Sequence, residues 1–186
     1  IDLTPPWTRL EMRKGLLDAT GVDTGAHTDS ESLSAALRAK GLNPPVGVTR
    51  GKLIDWMLGE YLEPTMIQPT FLYDYPRDIS PLAKSRPNDP LTVERFEGYM
   101  AGFEICNAFT ELNDPLDQEQ RFLDMARDFT DDDEEKNPLD EDYLRAMRYG
   151  MPPNGGFGMG VDRLVMLLTN KHNIREILLF PALRKE

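Results

Sequence analysis

The chain has 186 residues, 40% of them hydrophobic, and a formal net charge of −11, which is one domain's length with room for a buried core. No apolar run approaches the ~20 residues needed to cross a bilayer, and Ile1-Asp2-Leu3-Thr4-Pro5-Pro6 lacks the basic-then-apolar order of a secretory signal. A chain this acidic is not a self-sufficient nucleic-acid binder, because phosphate attraction needs clustered Lys and Arg.

The single cysteine, Cys106, excludes an internal disulfide and reads as a small buried hydrophobe in a reducing compartment. His27 and His172 stand far apart with no Cys/His cluster beside them, which argues against a zinc site. Any metal is expected to be a hard cation held by carboxylates.

In chain order, Thr8 to Ala19 predicts a helix on the apolar positions Leu10, Met12, Leu16 and Leu17, ended by Thr20-Gly21. Ser30 predicts a cap for a helix over Glu31 to Lys40, closed by Gly41. Asn43 to Gly47 reads as a loop, and Thr49 as the cap of a helix from Gly51 to Leu62, with Trp56 and Tyr61 packed on its flank. Ile67 to Pro76 predicts a short strand, followed by a Pro- and Asn-rich connection. Glu94 to Met100 and Phe103 to Leu112 predict a hairpin about the two-residue turn Ala101-Gly102.

Pro115 to Phe129 predicts a helix with Pro near its start. Asp131 to Glu135 reads as a solvated charge run. Asp140 to Arg148 predicts another helix, stopped by Gly150 and Pro152-Pro153. A glycine-rich stretch, Asn154 to Gly160, then leads into a helix from Val161 to Asn170, buried through Val161, Leu164, Val165 and Leu168. A last apolar piece, Ile177 to Phe180, ends at Pro181. The order lacks βαβ alternation, so an antiparallel α+β domain is expected.

Three segments carry candidate chemistry. In the hairpin, Glu104 faces Tyr99, and Glu97 points to the same side. Two acids this close repel unless a cation lies between them, and a Mg²⁺ on a polyphosphate is a natural guest. Asn107, Phe109 and Glu111 share one side by alternation, an amide, an aromatic wall and a carboxylate suited to an ammonium on an alkyl stem. Gly156, Gly158 and Gly160 leave one side of an extended segment bare, so that a flat ring can lie on it. Arg163 follows in the first turn of the helix, placed to stack on a base or clamp phosphate. Solvated polar faces explain the first two patterns as well, and a glycine-rich loop alone is a weak hint.

Together these segments resemble the class II aminoacyl-tRNA synthetases. Gly156-Phe157-Gly158-Met159-Gly160-Val161-Asp162-Arg163-Leu164 is similar to their motif 3. Glu104 to Pro115, Phe71 to Pro76, Ser80-Pro81-Leu82-Ala83 and Leu179-Phe180-Pro181-Ala182 point to the lysine-specific branch. The resemblance covers essentially the whole chain. It implies the C-terminal portion of the catalytic domain, part of the family's antiparallel sheet flanked by helices, with a mainly helical segment at 1–65 and the sheet and motif 3 at 66–186.

It further implies a site. Glu97 and Glu104 match the acids that hold Mg²⁺ on ATP. Ile105, Gly160 and Arg163 complete the ATP site, and Arg163 and Glu104 are the residues closest to the chemistry. Asn107, Phe109, Glu111 and Gly158 form the lysine site. The implied partners are ATP, L-lysine and tRNA(Lys), in a cytoplasmic enzyme that is a homodimer at full length. Motif 1, motif 2 and the anticodon-binding OB-fold have no counterpart here, so the chain alone is expected to be inactive.

Simple alternation puts Glu104 on the side opposite Asn107, Phe109 and Glu111, whereas the resemblance requires one site. A β-bulge or sharp twist between Glu104 and Asn107 is therefore expected. The rival readings are the paralogue that attaches a lysine derivative to elongation factor P, which tends to carry Ala where Gly158 stands, and a non-catalytic binding domain.

Overall fold

The computed structural model describes residues 1–128 and 140–181; the acidic run at 131–135 and Ala182 lie outside them. Among these residues seven strands and six α-helices follow in order: β1 (Thr8–Glu11), α1 (Met12–Thr20), α2 (Ser30–Ala39), α3 (Arg50–Met57), β2 (Thr70–Tyr73), β3 (Ser85–Arg86), β4 (Asp89–Val93), β5 (Arg95–Met100), β6 (Phe103–Thr110), α4 (Pro115–Asp128), α5 (Glu141–Gly150), β7 (Gly155–Met159) and α6 (Val161–Leu168). The fold is α+β, built on a mostly antiparallel sheet in the order β1-β2-β5-β6-β7, with β1 and β2 parallel.

Local signals set the helix ends. Gly21 closes α1 with a left-handed φ of 71° and donates its N–H to Leu17 O. Thr49 caps α3 by accepting from the Lys52 N–H, as its residue type suggests. For α2 the cap is Asp29 rather than Ser30: its carboxylate accepts the Ser32 N–H at 2.8 Å, while Ser30 is already helical. After Met57 the chain winds into a wider π turn, Leu58–Leu62, and Trp56 meets Tyr61 edge-on at 5.3 Å.

The expected helix over Thr8 to Ala19 is half wrong. Thr8–Glu11 is an edge strand, paired in parallel with Thr70–Tyr73, and the helix starts only at Met12. Leu10 faces the same core as Met12 and Leu16, so its apolar position mimicked helical spacing. Pairing with β2 satisfies backbone groups that a helix start would leave open. The connection after β2 also holds a small hairpin, β3–β4, too short and irregular to read from its Pro and Asn content.

The core lies between α1–α3 and the front of the sheet. Met12, Leu16, Leu33, Leu37, Leu53, Ile54 and Met57 pack with Leu72, Tyr75, Val93 and Tyr99, all buried. Each such aliphatic side chain contributes roughly 1.5–3 kcal/mol relative to an exposed one. By register, Leu10, Leu72, Arg95, Glu97, Tyr99, Glu104, Asn107 and Phe109 share this front face. Phe71, Phe96, Gly98, Cys106 and Ala108 point to the back. There Trp7 stacks on Phe71 at 5.2 Å, and a Cβ at Gly98 would come within 2.7 Å of Cys106 Sγ, so the two residues fit only as a pair.

Helix α6 runs along the back, where Leu164 and Leu167 line an apolar groove with Met100, Ile105 and Met159. It is not buried as expected: Val161 and Leu168 are 68% and 71% exposed. The reason is that the other described elements leave this end of the back face open. Leu179 and Phe180 of the last apolar piece are likewise exposed.

Candidate active site

The site is built around the hairpin β5–β6. Ala101 and Gly102 both take positive φ, 57° and 79°, the two-residue turn whose twist matches paired strands. Met100 pairs with Phe103 and Tyr99 with Glu104, but Gly98 then pairs with Cys106. Ile105 is the extra residue of a β-bulge. The expected reset of parity is present, and it lies at Ile105. Glu97 now stands directly opposite Asn107, and Arg95 opposite Phe109. Glu104, Asn107 and Phe109 therefore share the front face.

The bulge also fixes β7 and α6. The carbonyl of Ile105 accepts the Gly160 N–H at 2.9 Å, at the residue where α6 begins. Arg163, in the first turn of α6, donates to the Glu104 backbone O at 2.7 Å and to Glu104 Oε2 at 3.1 Å. Both side chains remain partly open, at 48% and 35% exposure.

Strand β7 lies beside β6 with Gly158 opposite Asn107 and Gly156 opposite Phe109. These glycines form a bare strip on the front face. Above Gly158 the space is open, since a Cβ there would have only Asn107 O near it, at 3.9 Å. Above Gly156 the space belongs to Glu111: a Cβ would lie 2.3 Å from Glu111 Oε1. Glu111 is thus delivered to the same strip as Asn107 and Phe109.

The three carboxylates differ in what answers them. Glu97 is 5% exposed. Its Oε2 accepts the hydroxyls of Tyr75 at 2.6 Å and Tyr99 at 2.7 Å, and its Oε1 accepts from Arg95 Nη2. Glu104 is therefore reachable, whereas Glu97 is tied down behind it. Each acid has its own guanidinium, Arg95 for Glu97 and Arg163 for Glu104. Glu111 is half-buried, and no hydrogen bond to its carboxylate comes from a described residue. Burial holds its pKa above the usual glutamate range, and its charge in turn helps burial raise that of Tyr143 on α5.

Sequence reasoning missed the residues that hold Glu97. Arg95 was findable, since it lies two positions before Glu97 on the same strand face. Tyr75 was not, because it reaches Glu97 from outside the hairpin. Glu63 was also missed: Tyr99 Oη lies 3.1 Å from Glu63 Oε1, and burial, with the nearby charge of Glu97, raises the pKa of Glu63.

Residues 1–184 match the family model described as tRNA synthetases class II (D, K and N). The chain belongs to that family. Among curated relatives, the lysine–tRNA ligase of Chloroflexus aurantiacus is 50% identical over 185 residues, covering 100% of this chain and 38% of that protein. That of Roseiflexus castenholzii is 50% identical over 184 residues, with 99% and 38% covered. That of Moorella thermoacetica is 47% identical over 184 residues, again with 99% and 38% covered. This class II chain thus spans well under half the length of the relatives it matches. No helix among its described residues is long and apolar enough to cross a membrane.

Proposed function

We propose that the chain forms the lysine- and ATP-binding half-site of a lysine–tRNA ligase. In this reading a carboxylate oxygen of lysine attacks the α-phosphorus of ATP. The bond from that phosphorus to the β-bridging oxygen breaks, leaving lysyl-adenylate and pyrophosphate. A hydroxyl of the terminal ribose of tRNA(Lys) then attacks the lysyl carbonyl carbon, the bond from that carbon to the adenylate oxygen breaks, and AMP leaves. No side-chain nucleophile takes part, so the rate comes from positioning and from neutralising charge.

Glu111 receives the ε-ammonium, the alkyl stem lies along Phe109, and Asn107 donates to the lysine carboxylate. The adenine and ribose lie near the glycine strip, with the Gly160 and Ile105 backbones at its end. Arg163 swings from Glu104 to the nucleotide, stacking on the base and drawing charge from the phosphates.

The acidic residues fit Mg²⁺ as a partner of ATP rather than as a resident of an all-protein cage. Among the described residues no group of three or more His, Cys, Asp or Glu side chains could hold a metal, whereas Mg²⁺ commonly takes one or two carboxylates plus substrate phosphates. Glu104 would hold it directly. Glu97 has both lone pairs of Oε2 engaged and one left on Oε1, so it would complete the site from behind. The ion would neutralise phosphate charge. The same family relation supports a homodimeric state and a cytoplasmic location for the whole enzyme.

One observation carries the reading: the Ile105 bulge brings Glu104 onto the face of Asn107 and Phe109, over a glycine strip that also receives Glu111. ATP–pyrophosphate exchange by the natural polypeptide tests it. Lysine is expected to drive exchange and norleucine not to. Glu111→Gln should lower kcat/KM for lysine about 100-fold, the usual cost of leaving one charge of a desolvated pair alone. Exchange driven equally by norleucine would overturn it.

A further inference from the structure

We infer that Arg95 is a positioning residue that sets the orientation of the Asn107 amide and so selects substrates carrying a carboxylate. The inference rests on the lysine-site reading above. The Arg95 side chain is 16% exposed, and its guanidinium lies over the Tyr75 ring, 4.6 Å from the centroid. Its donors are divided among four partners. Nη1 bonds Ile79 O and Ser80 Oγ, both at 2.9 Å. Nη2 bonds Glu97 Oε1, and Nε bonds Asn107 Oδ1 at 3.2 Å.

The last contact has a chemical consequence. A side-chain amide offers one acceptor oxygen and a two-proton donor nitrogen, and it can present either to a ligand. Arg95 has donors only, so it binds the oxygen and fixes which end is which. The Asn107 amide nitrogen is then the atom turned toward the strip beside Gly158, where space is open. A donor there suits an anionic oxygen and offers nothing to a ligand without one. Glu97, Tyr75, Ile79 and Ser80 hold the guanidinium flat and in place, because its fork is pre-organised for several partners at once. Lysine could not do the same: its single ammonium cannot span Glu97, the Ile79 carbonyl and Asn107 together.

The test compares lysine with cadaverine, which keeps both nitrogens and the alkyl stem but lacks the carboxylate. The natural polypeptide is assayed by ATP–pyrophosphate exchange, with KM for lysine and the competitive inhibition constant for cadaverine measured side by side. Arg95→Lys is expected to raise the lysine KM about tenfold and to leave the cadaverine constant within about twofold. Ser80→Ala keeps the arginine but removes one Nη1 acceptor, and should show the same selective effect at about threefold. A purely structural role would shift both ligands by one factor, and either that result or no shift in the lysine KM would overturn the inference. Glu111→Gln separates the two layers, since it should weaken both ligands. If it weakens neither, the lysine-site reading fails; if it weakens both while the Arg95 and Ser80 variants are unselective, only the role of Arg95 fails.

Discussion

The front face of the sheet divides into two halves that obey the same alternation and meet different fates. Over β1, β2 and β5 it is roofed by α1–α3 and its polar groups are closed on one another, as Glu97 is by Tyr75, Tyr99 and Arg95. Over β6 and β7 the strip opens: Asn107 stands beside Gly158, whose backbone is bare, and the Glu111 carboxylate reaches over Gly156. Two glutamates on one face thus carry opposite meanings. A buried carboxylate with three donors serves the architecture and orients its neighbours. A half-buried one with no donor among the described residues is short of a cation.

The division can be broken most forcefully from the roofed side. Leu72→Ala empties a fully buried position on β2 and is expected to cost about 3 kcal/mol in urea unfolding. A loss under ~1 kcal/mol would mean that the helices do not form the core with the sheet.

Gly156→Ala should do the reverse. The new methyl meets the far end of the Glu111 side chain, which can rotate away, so stability stays within about 0.5 kcal/mol. The carboxylate, however, is displaced, and kcat/KM for lysine should fall about 30-fold, or ~2 kcal/mol. A variant that unfolds, or one with normal lysine use, would remove Glu111 from the strip.

The pH dependence is subtler. Burial raises the folded-state pKa of Glu111, so the folded form takes up its proton more readily than the unfolded one. The charged side chain therefore costs stability above the unfolded pKa, and that cost is relieved as pH falls. Lysine binding needs the carboxylate and should begin to weaken at a pH above the ordinary glutamate range. Calorimetric affinities measured against pH should show this for the natural sequence and lose it in Glu111→Gln.

The smallest effect is expected on the solvent side of the helical roof. Arg13 and Asp23 lie 2.6 Å apart, with side chains 55% and 34% exposed. The Arg13 hydrogen bond holds the Asp23 pKa down to about 2. Whatever the pair contributes is fully present above the unfolded aspartate pKa and is lost as pH falls from there to about 2. Exposure to solvent keeps it small, and Arg13→Ala should cost under ~1 kcal/mol at neutral pH.

What was legible in the sequence follows the same division. The hairpin could be read because Ala101-Gly102 is a two-residue turn between apolar strands, and the bulge because simple alternation put Glu104 opposite Asn107 while the family resemblance required them in one site. The glycine strip was legible because every second residue lacked a side chain. The closure of Glu97 was not, since it depends on Tyr75, 22 positions away, and on the helical roof. Thr8–Glu11 failed for a related reason: its strand state is set by pairing with β2, a long-range contact that outweighs local spacing.

The most direct measurement is a crystal structure of the natural polypeptide with lysine bound. The ε-ammonium is expected within hydrogen-bonding distance of Glu111, with the carboxylate at the Asn107 amide nitrogen and Ile105 still unpaired in the ladder. Lysine bound elsewhere, or bound here with its ammonium turned away from Glu111, would contradict the assignment of this half-site.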